Sequence, residues 1–189
     1  MGQSNEVGVD WRRQFPGAEV LAEFREVTAA RREQLAALTT DDLAAEVQTP
    51  IGPGTLADLL RLRLMDTWTH EQDMRRALGR PGHLDGPVVE GSLAYFITML
   101  PYIVGKKAGA PEGSTVVFEV DDRAIAIAVT DGRARALELA PESSTATLSM
   151  DTATFAALVT GRTASLDGVT ITGDRELAER IVANLGVMP

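Results

Sequence analysis

Four ionisable residues recur at helical spacing near the middle of the chain. Arg63, Asp66, His70 and Asp73 are separated by three, four and three positions, so in a helix they share one narrow stripe. Leucines continue the same stripe upstream, where it would face a core. Because ionisable groups rarely occupy a buried stripe unless they are paired or bind a metal, we expect a functional site here.

Asp66 and His70 are the candidate metal ligands within this stripe. Their spacing of four residues lets both side chains reach one ion, and a carboxylate with an imidazole suits a borderline divalent metal such as zinc, with iron or nickel as alternatives. Two ligands from one helix do not hold a metal, so a third must come from elsewhere, and the only other histidine is His83. The alternative is a structural network without metal, in which the four ionisable residues pair with one another. The spacing leaves both interpretations open.

The residues around the stripe have simpler interpretations. Trp68 and Met74 are expected in the core or in an interface, Glu71 on a solvated face, and His83 at the surface. Arg162 follows a glycine at the predicted end of a helix, and an anion contact there is a secondary hypothesis.

Composition limits the classes of function. The chain has 189 residues, which suffices for one large domain or two small ones, and its apolar content of 44% is that of a globular protein. A net charge of −9 argues against nucleic acid or anionic membrane as partners. No apolar run of membrane-spanning length and no signal-peptide pattern are found, so we expect a cytoplasmic location. Without cysteine, any thiol chemistry would need a cofactor that brings the sulfur.

The first half of the chain is predicted to be helical. After residues 1–16, which show no clear pattern, apolar spacing predicts a helix over 18–38, a short capped helix from Thr39 to about residue 47, and a rigid loop over 49–54. Thr55 and Asp58 resemble a capping box that opens a helix ending near Leu78, before Gly79. A further helix over 88–107 should be kinked by Pro101.

The second half changes to the alternating pattern of strands. Alternation predicts strands over 115–120, 124–130, 133–139, 145–150 and 169–172, with an Asp-Gly hairpin turn at 131–132. Helices are predicted after Asp151 and after Asp174. The sequence therefore predicts an α+β protein with a helical domain over 1–84 and an α+β domain over 85–189.

Three stretches resemble the mycothiol-dependent maleylpyruvate isomerase family, which is related to the DinB-like metal-dependent four-helix bundles of actinobacteria. The most specific stretch is residues 63–82, with its arginine, aspartate, tryptophan and histidine at 63, 66, 68 and 70. Residues 101–118 resemble the family's entry into its second domain, and residues 173–185 resemble the last helix of that domain. The resemblance implies a DinB-like helical bundle followed by a sterol-carrier-like α+β domain with a mainly antiparallel sheet.

The resemblance also implies a cofactor chemistry. It places a divalent metal, usually zinc, on Asp66 and His70 together with a histidine from an earlier helix, and the metal activates the thiol of mycothiol for isomerisation or transfer on a small electrophilic substrate. Arg63 and Asp73 are then the candidate catalytic residues. This sequence departs from the pattern, because about two helices and the earlier histidine are not found before Gly2.

Two consequences follow from this departure. The helical bundle is expected to be partial, and two copies of the chain could complete one another, so we expect a homodimer. Activity could be impaired by the missing ligand. The alternative function is a non-catalytic module that binds an apolar small molecule in the α+β domain and dimerises through its helices.

Overall fold

A computed structural model of the chain describes residues 2–187 and contains both helices and sheets, so the predicted α+β class is confirmed. The chain divides into two compact units, Met1–Leu59 and Leu60–Pro189. The predicted boundary between residues 84 and 85 stays a prediction.

The first unit consists of short elements and one long helix. They are α1 (Gly2–Arg12), α2 (Gly17–Ala36), α3 (Thr40–Ala44), β1 (Glu46–Thr49) and β2 (Gly52–Thr55). The apolar spacing predicted α2 closely, whereas α1 was not predicted. None of the residues of α2 is buried in the structure.

The hairpin of β1 and β2 replaces a predicted loop. The two strands pair antiparallel, with Glu46 opposite Thr55 and Thr49 opposite Gly52. The prediction that the preceding helix reaches Val47 is therefore wrong, because Val47 pairs with Gly54 in the hairpin. The cap itself is confirmed, since Thr39 and Asp42 form a reciprocal capping box.

The helix that carries the polar stripe is α4, which spans Leu56–Ala77 as predicted to within a residue. At its start Thr55 and Asp58 form the predicted capping box, in which the Asp58 amide donates to Thr55 Oγ1 and the Thr55 amide donates to Asp58 Oδ2. At its end Gly79 has a positive φ of 61°, which turns the chain back so that the Arg80 amide donates to the Arg75 carbonyl.

The second unit adds helices and a five-stranded sheet. The helices are α5 (Pro87–Ile97), α6 (Leu100–Tyr102) continuing into a π-helical turn (Ile103–Lys107), α7 (Thr152–Val159) and α8 (Arg175–Asn184). The strands are β3 (Thr115–Val120), β4 (Arg123–Thr130), β5 (Arg133–Ala136), β6 (Ala146–Met150) and β7 (Thr170–Gly173). All five predicted strands are present, although β5 ends three residues earlier than expected.

The sheet is mainly antiparallel, as predicted. Its strand order is β5-β4-β3-β6-β7, and only the central pair of β3 and β6 is parallel, with Val116 opposite Ala146. Alternate residues of β6 are buried, which is the pattern of a strand that turns one face to a core. The core of this unit includes large, fully buried side chains from α4, α5, β3, α7 and α8: Trp68, Phe96, Phe118, Phe155 and Leu177.

One helical segment is long and apolar enough to cross a membrane by length and composition. It is Pro87–Lys107, so the prediction that no apolar stretch reaches membrane-spanning length is wrong. Within the second unit, however, Val89, Phe96, Leu100 and Val104 from this segment are fully buried in the core. Core packing therefore explains its apolar character.

Candidate functional site

The inner face of α4 determines where the polar stripe points. Its buried residues are Leu62, Met65, Trp68, Thr69 and Gln72. Each residue of the stripe follows one of these buried residues, and a step of one residue in a helix is a rotation of about 100°. The stripe therefore lies at the edge of the buried face. The expectation of a buried polar seam is wrong: the His70 side chain is 61% exposed.

Asp66 and Asp73 face opposite nitrogens of the His70 ring. Asp66 Oδ1 lies 3.6 Å from His70 Nε2, and Asp73 Oδ2 lies 3.4 Å from His70 Nδ1. Arg63, whose side chain is 64% exposed, donates to the other oxygen of Asp66 at 2.8 Å. The structure thus brings together all four residues that the sequence proposed, on a surface that solvent can reach.

Asp73 has a partner that the sequence did not assign. Arg162, 89 residues later, donates from Nε to Asp73 Oδ1 at 3.2 Å and from Nη2 to Asp73 Oδ2 at 2.9 Å. Arg76 donates to Asp73 Oδ1 as well, at 3.1 Å. A bidentate contact between a guanidinium group and a carboxylate fixes the plane of the carboxylate. Arg162 therefore holds Asp73 beside His70, and only the three-dimensional fold reveals this.

These contacts act on the ionisation of Asp73. The hydrogen bond from Arg162 lowers the pKa of the Asp73 carboxyl below its ordinary value of 3.8, against an opposing effect of partial burial. The positive charges of Arg162 and Arg76 lower this pKa further. Asp73 is therefore a carboxylate at neutral pH, and its Oδ2 faces Nδ1 of His70 at 3.4 Å.

The spacing of Asp66 and His70 fits two ligands of one metal ion. Their 3.6 Å separation is too long for a hydrogen bond. It is close to the roughly 3.3 Å between two ligands that each lie about 2.0–2.1 Å from a tetrahedral zinc ion. Asp73 cannot join them on the same ion, because it faces the other ring nitrogen. Within residues 2–187 no group of three or more His, Asp or Glu side chains is placed to hold a metal. The pair fits half of a metal site.

The second histidine makes a different set of contacts. His83 Nδ1 lies 2.8 Å from Glu71 Oε2, and Arg75 donates to the other oxygen of Glu71 at 2.8 Å. The His83 carbonyl accepts hydrogen bonds from Trp68 Nε1 at 3.0 Å and from Gln72 Nε2 at 3.2 Å. We refer to these contacts as the His83 anchor. They attach the loop after α4 to that helix, so Glu71 is not simply a solvated side chain.

The anchor also acts on the ionisation of Glu71. Burial by itself would raise the pKa of the Glu71 carboxyl, but hydrogen bonds from Arg75 and His83, together with their charges, hold it below its ordinary value of 4.5.

Two further predictions concern neighbouring residues. The sequence predicts that both residues lie in the core or in an interface. Trp68 lies in the core and is 1% exposed, whereas Met74 is 60% exposed and lies outside the core of the described residues.

Two family models match the chain. The model of the mycothiol maleylpyruvate isomerase N-terminal domain matches residues 1–75, which contain all four residues of the stripe. The model of the MDMPI C-terminal domain matches residues 90–180, which contain Arg162. No curated protein matches the chain.

Three solved structures that match the chain each cover about half of it. The UbiJ-SCP2 ubiquinone synthesis protein matches at 12% identity with a TM-score of 0.39, covering 52% of this chain and 96% of that one. A crystal structure of sterol carrier protein 2 matches at 13% identity with a TM-score of 0.36, covering 50% and 96%. The sterol carrier protein domain 2 of Helicoverpa armigera matches at 14% identity with a TM-score of 0.36, covering 55% and 93%.

Proposed function

Since the chain belongs to the mycothiol maleylpyruvate isomerase family, we propose that it is a mycothiol-dependent isomerase or thiol transferase that uses a divalent metal, zinc, and acts on a small electrophilic substrate. The observation that carries the proposal is the exposed pair of Asp66 and His70, with Asp66 Oδ1 and His70 Nε2 separated by 3.6 Å. The absence of cysteine from the sequence agrees with a thiol supplied by the cofactor. A cytoplasmic location is part of the proposal.

In this proposal Asp66 and His70 hold the metal. A bound zinc ion stabilises a coordinated thiol as its thiolate, the form that attacks electrophiles. Arg63 supplies a solvent-exposed positive charge next to Asp66, where it can bind a negatively charged group of the substrate. We therefore keep Arg63 as the candidate catalytic residue that contacts the substrate.

The contacts of Asp73 favour a positioning role rather than direct contact with the substrate. A hydrogen on Nδ1 of His70 would point to Asp73, 3.4 Å away, and would leave the lone pair of Nε2 free for an ion shared with Asp66. Arg162 holds Asp73 in turn. A carboxylate behind a metal-binding histidine commonly fixes the ring and raises its basicity.

The proposal requires a further metal ligand, and we propose that a second copy of the chain supplies it. In the first unit, α2 leaves four large apolar side chains exposed: Leu21, Phe24, Val27 and Leu35. Exposed apolar residues at helical spacing are typical of a surface that binds another protein. A homodimer would cover these side chains.

Zinc binding tests this assignment directly. Metal-free protein is titrated with zinc by calorimetry, while native mass spectrometry records the oligomeric state and the number of ions per chain. We expect one zinc per chain in a dimer, and His70→Ala and Asp66→Asn should each weaken binding at least about tenfold. Arg162→Gln should weaken binding about tenfold if Asp73 positions His70.

His83→Asn is the matched control, because it removes the other imidazole and asparagine tolerates the positive φ of 56° at this position. It should leave zinc binding unchanged. Equal zinc binding by the wild-type protein and His70→Ala would overturn the site. If zinc binds as expected, consumption of a maleylpyruvate-type substrate is measured with and without mycothiol, and equal rates in the two assays would overturn the cofactor assignment.

A further inference from the structure

A cavity of about 280 Å³ lies within the second unit, beside the end of α4. The last two turns of α4, the loop that follows it and the first turns of α7 form its walls. Arg63, Asp66, His70 and Asp73 do not line it. The cavity is near the lower end of the volumes of small-molecule sites, which begin at roughly 300 Å³.

The polar side of the cavity is positively charged. Arg75, Arg76 and Arg80 line it. Arg75 pairs with Glu71 and Arg76 pairs with Asp73, but in the described part of the chain the Arg80 side chain has neither an ion-pair nor a hydrogen-bond partner.

The local charge balance follows from these pairs. Arg162 also binds Asp73, so three guanidinium groups pair with two carboxylates. Together with Arg80, the local count is four positive charges against two negative charges. The whole chain carries −9, so this surplus runs against the overall charge. A positively lined concavity on a negatively charged protein attracts anions selectively.

Part of the cavity wall is apolar. Leu84, Ala153 and Ala156 line it, and the small alanine side chains leave room for an apolar group. Ala156 is buried and Ala153 is exposed at the opening. A simple inorganic anion would use the arginines and leave this surface without a partner. The two sides together suit a ligand with an anionic end and an apolar body.

We propose that this cavity binds a small organic carboxylate with an apolar body, such as an aromatic acid. The carboxylate pairs with Arg80 and with Arg76, whose guanidinium can accommodate a second acceptor, while the ring lies against Leu84 and Ala153. The proposal does not depend on the metal site, since no candidate metal ligand lines the cavity. If the cavity binds no carboxylate, the proposed enzymatic function still stands. If the metal site fails, the cavity can still bind a carboxylate.

Binding of benzoate, followed by NMR on isotope-labelled protein at low salt, tests the proposal. We expect saturable shifts of the Gln72 side-chain amide and the Ala153 methyl group. Benzamide, which has the same shape and no charge, should bind about fivefold or more weakly, and inorganic phosphate should not saturate the site in the same range.

Two variants and two matched controls locate the ligand. Arg80→Gln should weaken benzoate binding about three- to fivefold, and Ala153→Leu should abolish it by filling the cavity. Arg135→Gln removes an exposed arginine of β5, and Ala183→Leu enlarges an exposed alanine of α8, so both should bind benzoate as the wild-type protein does.

Three results would overturn the proposal. The first is equal binding of benzamide and benzoate, which would remove the role of the charge. The second is undiminished binding by Ala153→Leu while its spectrum shows a native fold, which would place the ligand elsewhere. The third is phosphate binding as tight as that of benzoate, which would show an adventitious ion contact and no role for the apolar wall.

Discussion

Two histidines lie on or next to the same helix, and each has carboxylate neighbours, yet their surroundings differ. His83 has a 2.8 Å contact to Glu71, and its carbonyl accepts two further hydrogen bonds from buried side chains of α4. His70 has only longer contacts, of 3.4 and 3.6 Å, and its side chain is 61% exposed. His83 therefore has short hydrogen bonds to the protein through one ring nitrogen and its carbonyl, whereas the His70 ring has only two longer contacts.

This difference separates structure from function on one helix. A histidine held by short hydrogen bonds within the fold contributes to stability, because loss of these contacts leaves polar groups unpaired. A histidine with loosely spaced carboxylates and access to solvent retains capacity for an outside ligand. We therefore propose that the His83 anchor serves stability and that the Asp66–His70 pair serves binding, and the following predictions test that distinction.

Removal of the tryptophan from the His83 anchor should have the largest effect. Trp68→Ala should lower the free energy of unfolding by about 3–5 kcal/mol, because it removes a fully buried ring and a donor to the His83 carbonyl. Urea denaturation followed by circular dichroism measures this loss. Trp68→Phe keeps a buried ring and should cost about 1–2 kcal/mol. A loss below about 1 kcal/mol for Trp68→Ala would contradict the structural role of the anchor.

Substitution of the two histidines should change stability by different amounts. His83→Asn should lower the free energy of unfolding by about 1 kcal/mol, because Glu71 loses a hydrogen-bond partner. His70→Ala should change it by less than about 0.5 kcal/mol, since the side chain is exposed and loosely paired. The same denaturation assay compares them on metal-free protein. Equal losses in the two variants would remove the distinction between the two sites.

Glu71 should make part of the stability pH-dependent. Its folded-state pKa lies below the ordinary 4.5, so the carboxylate stabilises the fold above pH 4.5, and this contribution is lost as the pH falls through the lower folded-state pKa. The difference in unfolding free energy between wild type and Glu71→Gln should therefore be largest near pH 7 and should shrink in acid. Denaturation curves at several pH values measure it. A difference that grows as the pH falls would contradict the sign of the shift.

The smallest effect on stability is expected for Arg63. Its ion pair with Asp66 is exposed, so Arg63→Gln should change the unfolding free energy by less than about 0.5 kcal/mol. Under the proposed function, the same variant should lose turnover while it still binds zinc. Steady-state kinetics and zinc titration on one preparation check both statements, and unchanged turnover would remove Arg63 from the catalytic residues.

Local sequence patterns predicted most of the fold of the second unit. Alternation located all five strands of the sheet, and threonine–aspartate pairs located the starts of α3 and α4. The hairpin of β1 and β2 was missed because its second strand, Gly52–Thr55, contains two glycines and a proline, residues that disfavour strands. Pairing with β1 overrides that local preference.

The candidate site was only partly predictable from sequence. Periodicity placed Arg63, Asp66, His70 and Asp73 together, but it could not fix which side of α4 faces the core, because Thr69 and Gln72 are polar and yet buried. No local pattern could predict the contact between Arg162 and Asp73, since the two residues are 89 positions apart in the sequence. The homodimer, the metal and the apolar-ligand alternative stay predictions.

The parallel pairing of β3 with β6 has a consequence for how the second unit forms. The antiparallel neighbours β3–β4 and β4–β5 are joined by short turns, so each can pair rapidly with little loss of chain entropy. Val116 pairs with Ala146, which lies 30 positions later in the chain, so this pairing needs a much longer loop to close. Pairings between distant positions form more slowly. We therefore expect the meander of β3, β4 and β5 to form before β3 pairs with β6, so that this parallel pairing is the rate-limiting step in the folding of the second unit.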